Sequence, residues 1–277
     1  MNIQSLSICA PQQECVNNCK FCCSKASCAE YPLQKDTSAF FKRLQFARDN
    51  GCNVAILTGE CEPLQNDLYW TFWEKNFRVN NSRLSSPFKW IEIQTTGVDL
   101  NLEQCRELGV TTVSLSMVDP FDADRNFNTQ GTPKAKRFDI FQRCREIKEA
   151  GFNLRISLNM TDALSDVISF ESILVQCRVM GAYALTVREL FTDEGKLGWC
   201  AKHKIDVSPF IQYIRKHGRP LEKLPDYKIR YSINGLSVVV DDDCMARKPD
   251  EDTLRYLILR PDGKLYTKWD DKASLLF

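Results

Sequence analysis

Cys15, Cys19 and Cys22, separated by three and then two residues, are the side chains of this sequence best placed to do chemistry. Thiolates are the usual ligands of iron–sulfur clusters. Three of them on one short loop can hold three corners of an iron–sulfur cube and leave the last iron open to a small molecule. Structural zinc is the alternative, but it needs four ligands, commonly as two close pairs. No second pair follows, and the two histidines, His203 and His217, lie far along the chain. Cys9, Cys23 or Cys28 would have to complete such a site.

The distribution of cysteines points the same way. Six of the thirteen fall within the first 28 residues, and the other seven (Cys52, Cys61, Cys105, Cys144, Cys177, Cys200 and Cys244) are scattered singly. Secreted disulfide scaffolds are short, with even, spread cysteines. An odd count in a chain of 277 residues reads instead as a metal or cluster site near the N-terminus plus ordinary buried thiols, in a reducing and oxygen-poor setting. The net charge of +1 gives no strong nucleic-acid signal. No apolar run reaches the roughly 18–20 residues of a membrane span. The opening MNIQSLSICAPQQ lacks a basic start and an apolar block, so no signal peptide is expected there and a cytoplasmic location is.

The elements that must position the cysteines alternate. Strands are expected at residues 5–9, 53–57, 90–95, 111–117, 153–159 and 184–190. Helices are expected at 37–50, 67–80, 102–108, 138–150 and 170–180. In the first helix Phe40, Phe41, Leu44, Phe46 and Ala47 form the apolar side. Gly51, Gly109, Gly151 and Gly181 punctuate helix-to-strand passages. Six β-then-α units predict a parallel sheet with crossover helices, and an open barrel or a doubly wound sheet both fit. The polar stretch 119–136 reads as a long loop that could serve as a lid. Beyond residue 195 a helix at 207–217 and two turn signals, Asn234-Gly235 and Pro261-Asp262-Gly263, predict a small β-rich extension.

The cysteine spacing resembles the signature of the radical S-adenosylmethionine (SAM) superfamily, whose members carry an aromatic residue just before the last cysteine, here Phe21. Phe21 and the spacing favour Cys22 over Cys23 as the third ligand, leaving Cys23 and Cys28 as packing thiols. The segment Leu57-Thr58-Gly59-Glu60-Cys61-Glu62-Pro63-Leu64 is similar to the family's Gly-Gly-Glu-Pro turn, which contacts the SAM amino group. Its Glu62-Pro63 pair is intact, while Glu60 and Cys61 replace the two glycines. The resemblance implies a partial (β/α)6 TIM-like barrel over residues 1–195, with residues 196–277 helping to close the active site.

It also implies a [4Fe–4S] cluster on Cys15, Cys19 and Cys22, SAM as cofactor, and an electron donor such as flavodoxin or ferredoxin. Reductive SAM cleavage would give a 5′-deoxyadenosyl radical that abstracts hydrogen from the substrate. Gly59, Glu62, Pro63, Thr95, Ser116, Asn159 and Arg188 would touch SAM, with Arg188 serving its carboxylate or the substrate. The plain alternative for the strand-end residues is ordinary polar termini. A small-molecule substrate would meet Gln94, Arg155, Arg188 and Glu189 as cavity walls. Tyr183, Trp199 and Trp269 read as packing or ring-stacking residues, and residues 241–243 as a solvated acidic turn or hydrogen-bond acceptors.

The opening residues and WIEIQTTGV are also similar to queuine lyases of queuosine salvage. That would imply queuosine or its 5′-phosphate as substrate and release of the base. Two other classes remain open: an activase or peptide-modifying enzyme acting on a protein, and a zinc-binding interaction module. After residue 190 only Cys200 and Cys244 remain, too few for a second four-ligand cluster.

Overall fold

The computed structural model describes residues 2–11, 15–23, 31, 37–59, 61–66, 70, 88–164, 168–192, 198–224, 228–242, 253–269 and 271–276. Six strands follow one another as parallel neighbours: β1 (Asn2–Ala10), β2 (Val54–Gly59), β3 (Trp90–Thr95), β4 (Thr112–Met117), β5 (Asn153–Met160) and β6 (Ala184–Glu189). The helices between them are α1 (Thr37–Asp49), α2 (Leu102–Glu107), α3 (Ala123–Gln130), α4 (Ile140–Glu149) and α5 (Phe170–Val179). The helix expected at 67–80 lies outside the described residues, apart from Trp70.

The chain after β6 adds strands to both edges of this run. Helices α6 (Gly198–His203) and α7 (Ser208–His217) lead to β7 (Arg219–Lys223), β8 (Ile229–Ile233) and β9 (Leu236–Asp241). β9 pairs parallel to β6. β10 (Thr253–Leu259) pairs parallel to β1 on the opposite edge, and β11 (Leu265–Tyr266) turns back on it. The two expected turns are the β8–β9 and β10–β11 connections. Asn234 and Gly235 both take positive φ (51° and 83°), the backbone that a tight two-residue hairpin turn requires.

The sheet is curled but not closed. β9 and β10 do not pair, yet the Arg255 guanidinium of β10 donates to Asp241 Oδ2 of β9 at 2.6 Å. One cavity is lined from β1, β2, β3, β5, β6, β9 and β10 together. A doubly wound sheet would keep its two edges far apart, so the open barrel is the correct alternative. The sequence alternates accordingly on the central strands. Ile91 and Ile93, Leu154 and Ile156, and Leu185 and Val187 are buried in the apolar layer under the helices. Glu92, Gln94, Arg155, Thr186 and Arg188 line the lumen.

On α1, Phe40, Leu44 and Ala47 are buried at helical spacing, while Phe41 falls off that stripe and is 41% exposed. Among the described residues no helix is long and apolar enough to cross a membrane.

The stretch 119–136 is not a loop. It holds α3, capped at its start by the Asp122 carboxylate, which accepts from Arg125 N at 2.9 Å. It ends at Gly131 in the left-handed conformation. Polar side chains fix it in place. Asn126 accepts from Val118 N at 2.9 Å, and Gln130 donates to Ser116 O at 2.7 Å. With Phe127 as its one buried apolar residue, this helix carries little hydrophobic pattern.

Candidate functional site

The loop after β1 carries the three cysteines onto the carboxyl edge of the sheet. Cys15, Cys19, Phe21 and Cys22 line a cavity of about 290 Å³ together with Gly59, Cys61, Glu62, Pro63, Thr95, Thr96, Ser116, Asn159 and Arg188. Every cofactor-contact residue expected from the sequence is therefore on one wall or another of the same space. Sites in parallel α/β sheets form at this edge, where loops leave the strands.

Local contacts explain the loop's course. Cys22 N donates to Cys19 O at 3.3 Å, closing a turn around the last two cysteines. Val16 N donates to Gln65 Oε1 at 2.9 Å, and Lys20 N to Thr129 O at 3.3 Å. Phe21 packs beside Leu190 and Phe191, just after β6, and Cys200 of α6. The Gly131 backbone lies so close to this loop that a Cβ there would stand 2.6 Å from the Asn18 carbonyl oxygen. The presumed lid is thus a buttress: its carboxyl end supports the cysteine loop from outside the cavity.

The Glu62-Pro63 turn is anchored equally firmly. Pro63 starts a 3-10 turn, Pro63–Gln65, whose last side chain holds Val16. Both oxygens of the buried Glu62 carboxylate are engaged: Oε1 by the Thr95 hydroxyl, and Oε2 by Thr96 N at 3.1 Å and Thr96 Oγ1 at 2.8 Å. Burial pushes the Glu62 carboxyl up, and the donors from Thr95 and Thr96 oppose that shift. Glu62 therefore orients the end of β3 in addition to lining the cavity. Gly59 has a separate reason to be glycine. A Cβ there would sit 2.9 Å from Ala10 Cβ, because β1 and β2 converge at their ends. Cys61, in a position where the motif has glycine, is buried and directs its thiol to Pro11 O at 3.5 Å.

Ser116 and Asn159 form a pair across β4 and β5, with Asn159 Nδ2 donating to Ser116 Oγ at 3.0 Å. Asn17 and Thr132, not singled out by sequence, complete the frame together with Thr96 at the end of β3. Asn17 is buried inside the cysteine loop, and the Thr132 hydroxyl donates to its Oδ1 at 2.7 Å. A buried asparagine between two cysteines is the available signal, because a buried amide needs partners.

Burial raises the Cys15 thiol, and the backbone N–H groups of Asn17 and Glu62 oppose the rise. Cys52 is raised to about 11, and Cys105, Cys144 and Cys177 to about 12, by burial in apolar surroundings, which makes them inert packing thiols. Cys23 is exposed and lines the cavity, so it is not a packing thiol; Cys28 lies outside the described residues.

A second cavity of about 320 Å³ fills the barrel lumen and shares Cys23, Thr58, Gly59, Gln94 and Arg188 with the first. Gln94 and Arg155 line it as expected, and Arg155 is committed to Glu92 and to Ser114 Oγ at 3.2 Å. Glu189 faces the first cavity and pairs with Lys204 at 3.1 Å. Asp241 is not a solvated turn residue. It is fully buried, with Arg255 at 2.6 Å and Lys228 at 3.2 Å, while Asp242 beside it is exposed and Asp243 lies outside the described residues. Trp269 lines the lumen, Trp199 stacks on His203 with ring centroids 4.3 Å apart, and Tyr183 is exposed away from both cavities.

The donor set fits an iron–sulfur cube. Among the described residues no three His, Cys, Asp or Glu side chains converge on a point where one metal ion could sit. A cube takes one sulfur per iron around a shared space, and Cys15, Cys19 and Cys22 line one cavity. Beside them stand Ser116, Asn159 and the Arg188 guanidinium, whose Nε is buried with no hydrogen-bond partner.

No family model matches the chain, and no curated protein matches it. Solved structures do. SuiB of Streptococcus suis bound to S-adenosylmethionine superposes with a TM-score of 0.62 at 16% identity, over 95% of this chain and 60% of that one. SuiB bound to its precursor peptide SuiA gives 0.56 at 15%, over 95% and 59%. Native anSMEcpe with bound AdoMet gives 0.59 at 15%, over 98% and 75%. The chain thus spans about three fifths of the length of SuiB. The shared architecture is a partial barrel of parallel strands, with the sheet left open. None of these three carries the queuine lyase resemblance of the opening residues.

Proposed function

We propose that this chain is a radical SAM enzyme whose [4Fe–4S] cluster is held by Cys15, Cys19 and Cys22 and whose substrate enters the barrel lumen. One observation carries the reading. The three thiols, the Glu62-Pro63 turn and the polar ends of β3 to β6 meet around one cavity, in a barrel whose solved counterparts bind SAM. When bound, the cluster and SAM supply the electron transfer and the hydrogen-abstracting species.

The chain's own residues do the rest. The cysteine loop, fixed by Gln65, Thr129 and Thr132, presents its thiolates to one side of the cavity. Glu62 and Pro63 shape the wall where the SAM amino group would lie, and Gly59 and Thr95 complete it. Ser116 and Asn159, already hydrogen-bonded to each other, present polar atoms suited to the ribose and carboxylate. Phe21, packed beside Leu190 and Phe191 after β6, would screen a bound cluster from solvent.

The core is residues 1–195. Residues 196–277 help close the site, since Leu224, Val239, Asp241, Arg255, Tyr256 and Trp269 all line the lumen. Flavodoxin or ferredoxin in a reducing, oxygen-poor cytoplasm would supply electrons. A small-molecule substrate suits the lumen volume.

The second reading, a peptide substrate, is favoured by the complex of SuiB with SuiA. The deciding experiment is anaerobic reconstitution with iron and sulfide. About four irons per chain and dithionite-dependent formation of 5′-deoxyadenosine from SAM are expected. Colourless protein without iron overturns the reading. Stimulation of SAM cleavage by metabolite pools or by peptide pools then separates the two substrate classes.

A further inference from the structure

One charged group in the cavity wall remains without a counterpart. Arg188 lines both the cofactor cavity and the lumen. A guanidinium has five N–H donors in a planar fork. Among the described residues none of those of Arg188 meets an acceptor, and its Nε is buried.

The carboxylates around it are already engaged. Glu92 pairs with Arg155, and Glu189 with Lys204 at 3.1 Å. Glu62 is hydrogen-bonded to Thr95 and Thr96. Asp241 is the register neighbour of Arg188 on β9, but its Oδ2 accepts from Arg255 at 2.6 Å, and its Oδ1, which makes no hydrogen bond, lies 3.2 Å from the Lys228 ammonium. Asp242 shares Lys228 at 3.6 Å. Burial alone pushes the Asp241 carboxyl up, yet Arg255, Arg188 and Lys228 together hold it well below the usual carboxylate range. One buried anion therefore faces three cations, and among the described residues Arg188 is the one of the three that makes no close ion pair or hydrogen bond to it.

A sheltered cation without a hydrogen-bonding anion is costly. The fork geometry of arginine suits bidentate capture of a carboxylate or phosphate. The lumen, at about 320 Å³, has the volume of a small-molecule site.

We infer that Arg188 binds an anionic group of the substrate, a carboxylate or a phosphate, in the lumen beside the cofactor cavity. The inference rests on the radical SAM reading for the identity of the neighbouring cofactor. Because Arg188 stands where the two cavities join, an anion held there places the rest of the substrate next to the reacting centre. Asp241, held by Arg255 and Lys228, attracts the guanidinium without hydrogen-bonding to it.

The test titrates the reconstituted full chain with inorganic phosphate and, separately, with malonate, by calorimetry at constant ionic strength. Each titration is run before and after saturation with SAM. Iron content and SAM binding are measured on the same preparation, so failure of the radical SAM reading appears there and not in the anion result. Saturable binding of one probe in the presence of SAM is expected. Arg188→Met should weaken it about tenfold or more, and Arg188→Lys by less. Preference for phosphate marks a phosphorylated substrate; preference for malonate marks a carboxylate. Two results overturn the inference. In one, the wild-type protein binds neither probe. In the other, SAM abolishes probe binding, which would assign Arg188 to the carboxylate of SAM itself. Both are read on wild-type protein, so they hold even if Arg188→Met does not fold.

Discussion

Asn17 donates its side-chain amide to the Thr96 hydroxyl at 2.8 Å, tying the middle of the cysteine loop to the end of β3. The same hydroxyl donates onward to Glu62 at 2.8 Å, and Thr132 donates to Asn17 at 2.7 Å. Four segments distant in sequence thus meet in one buried chain of hydrogen bonds. Replacing Asn17 by Ala removes two of these bonds and strands the Thr132 donor. A loss of about 1–3 kcal/mol in unfolding free energy is expected. Iron retention should fall as well, because the loop loses its central anchor. Denaturant unfolding paired with iron analysis checks both. An unchanged midpoint and full iron would mean that the network is incidental.

The proposed function divides the cysteines into ligands and bystanders, and serine substitution separates them. Cys15→Ser, Cys19→Ser and Cys22→Ser should each leave reconstituted protein with little iron and no SAM cleavage. Cys23→Ser should keep the iron, although Cys23 is adjacent to Cys22, exposed and part of the cavity lining. Iron loss on Cys23→Ser together with retention on Cys22→Ser would move the register by one residue.

Much of the frame was legible because it depends on local backbone chemistry. Gly51, Gly109, Gly151 and Gly181 stop their helices with φ between 71° and 89°, a conformation other residues adopt at a cost. The alternation of Glu92 and Gln94 with Ile91 and Ile93 separates lumen from core within one strand. The cysteine spacing and the Glu62-Pro63 pair identified one edge of the sheet. α3 was hidden because it is held by Asn126 and Gln130 rather than by an apolar stripe. Asp241 was misread for a different reason. Its partner Arg255 lies on a strand added to the far edge of the sheet, and only the curl of the barrel brings the two together.

Gly131 offers a test of the buttress that leaves the cavity untouched. Its φ of 62° is left-handed, and a Cβ would stand 2.6 Å from the Asn18 carbonyl oxygen, which belongs to backbone and cannot rotate away. Gly131→Ala should cost roughly 1–3 kcal/mol from backbone strain, with the clash adding to it. The displaced segment is the one between Cys15 and Cys19, so cluster loading should suffer more than global stability. Iron per chain and the thermal midpoint, measured together, check this. A lower midpoint with normal iron would show that α3 stabilises the barrel without supporting the loop.

Asp241 gives the barrel a defined response to acid. Its carboxyl is held below the usual range by Arg255, Arg188 and Lys228 despite burial. A depressed carboxylate is deprotonated in the folded state while the unfolded chain, with an ordinary value of about 3.9, takes up a proton. The unfolded state then binds more protons, so stability rises with pH in that interval. The contribution of Asp241 is complete at neutral pH, declines as pH drops below about 4, and vanishes only below its own folded value. Asp241→Asn should cost about 3–5 kcal/mol at pH 7, since it leaves buried cations facing a neutral amide. It should also flatten the fall in stability below pH 4. Urea unfolding of both proteins between pH 2 and 7 checks the slope. Parallel curves would show that the Asp241 cluster contributes nothing specific to acid sensitivity.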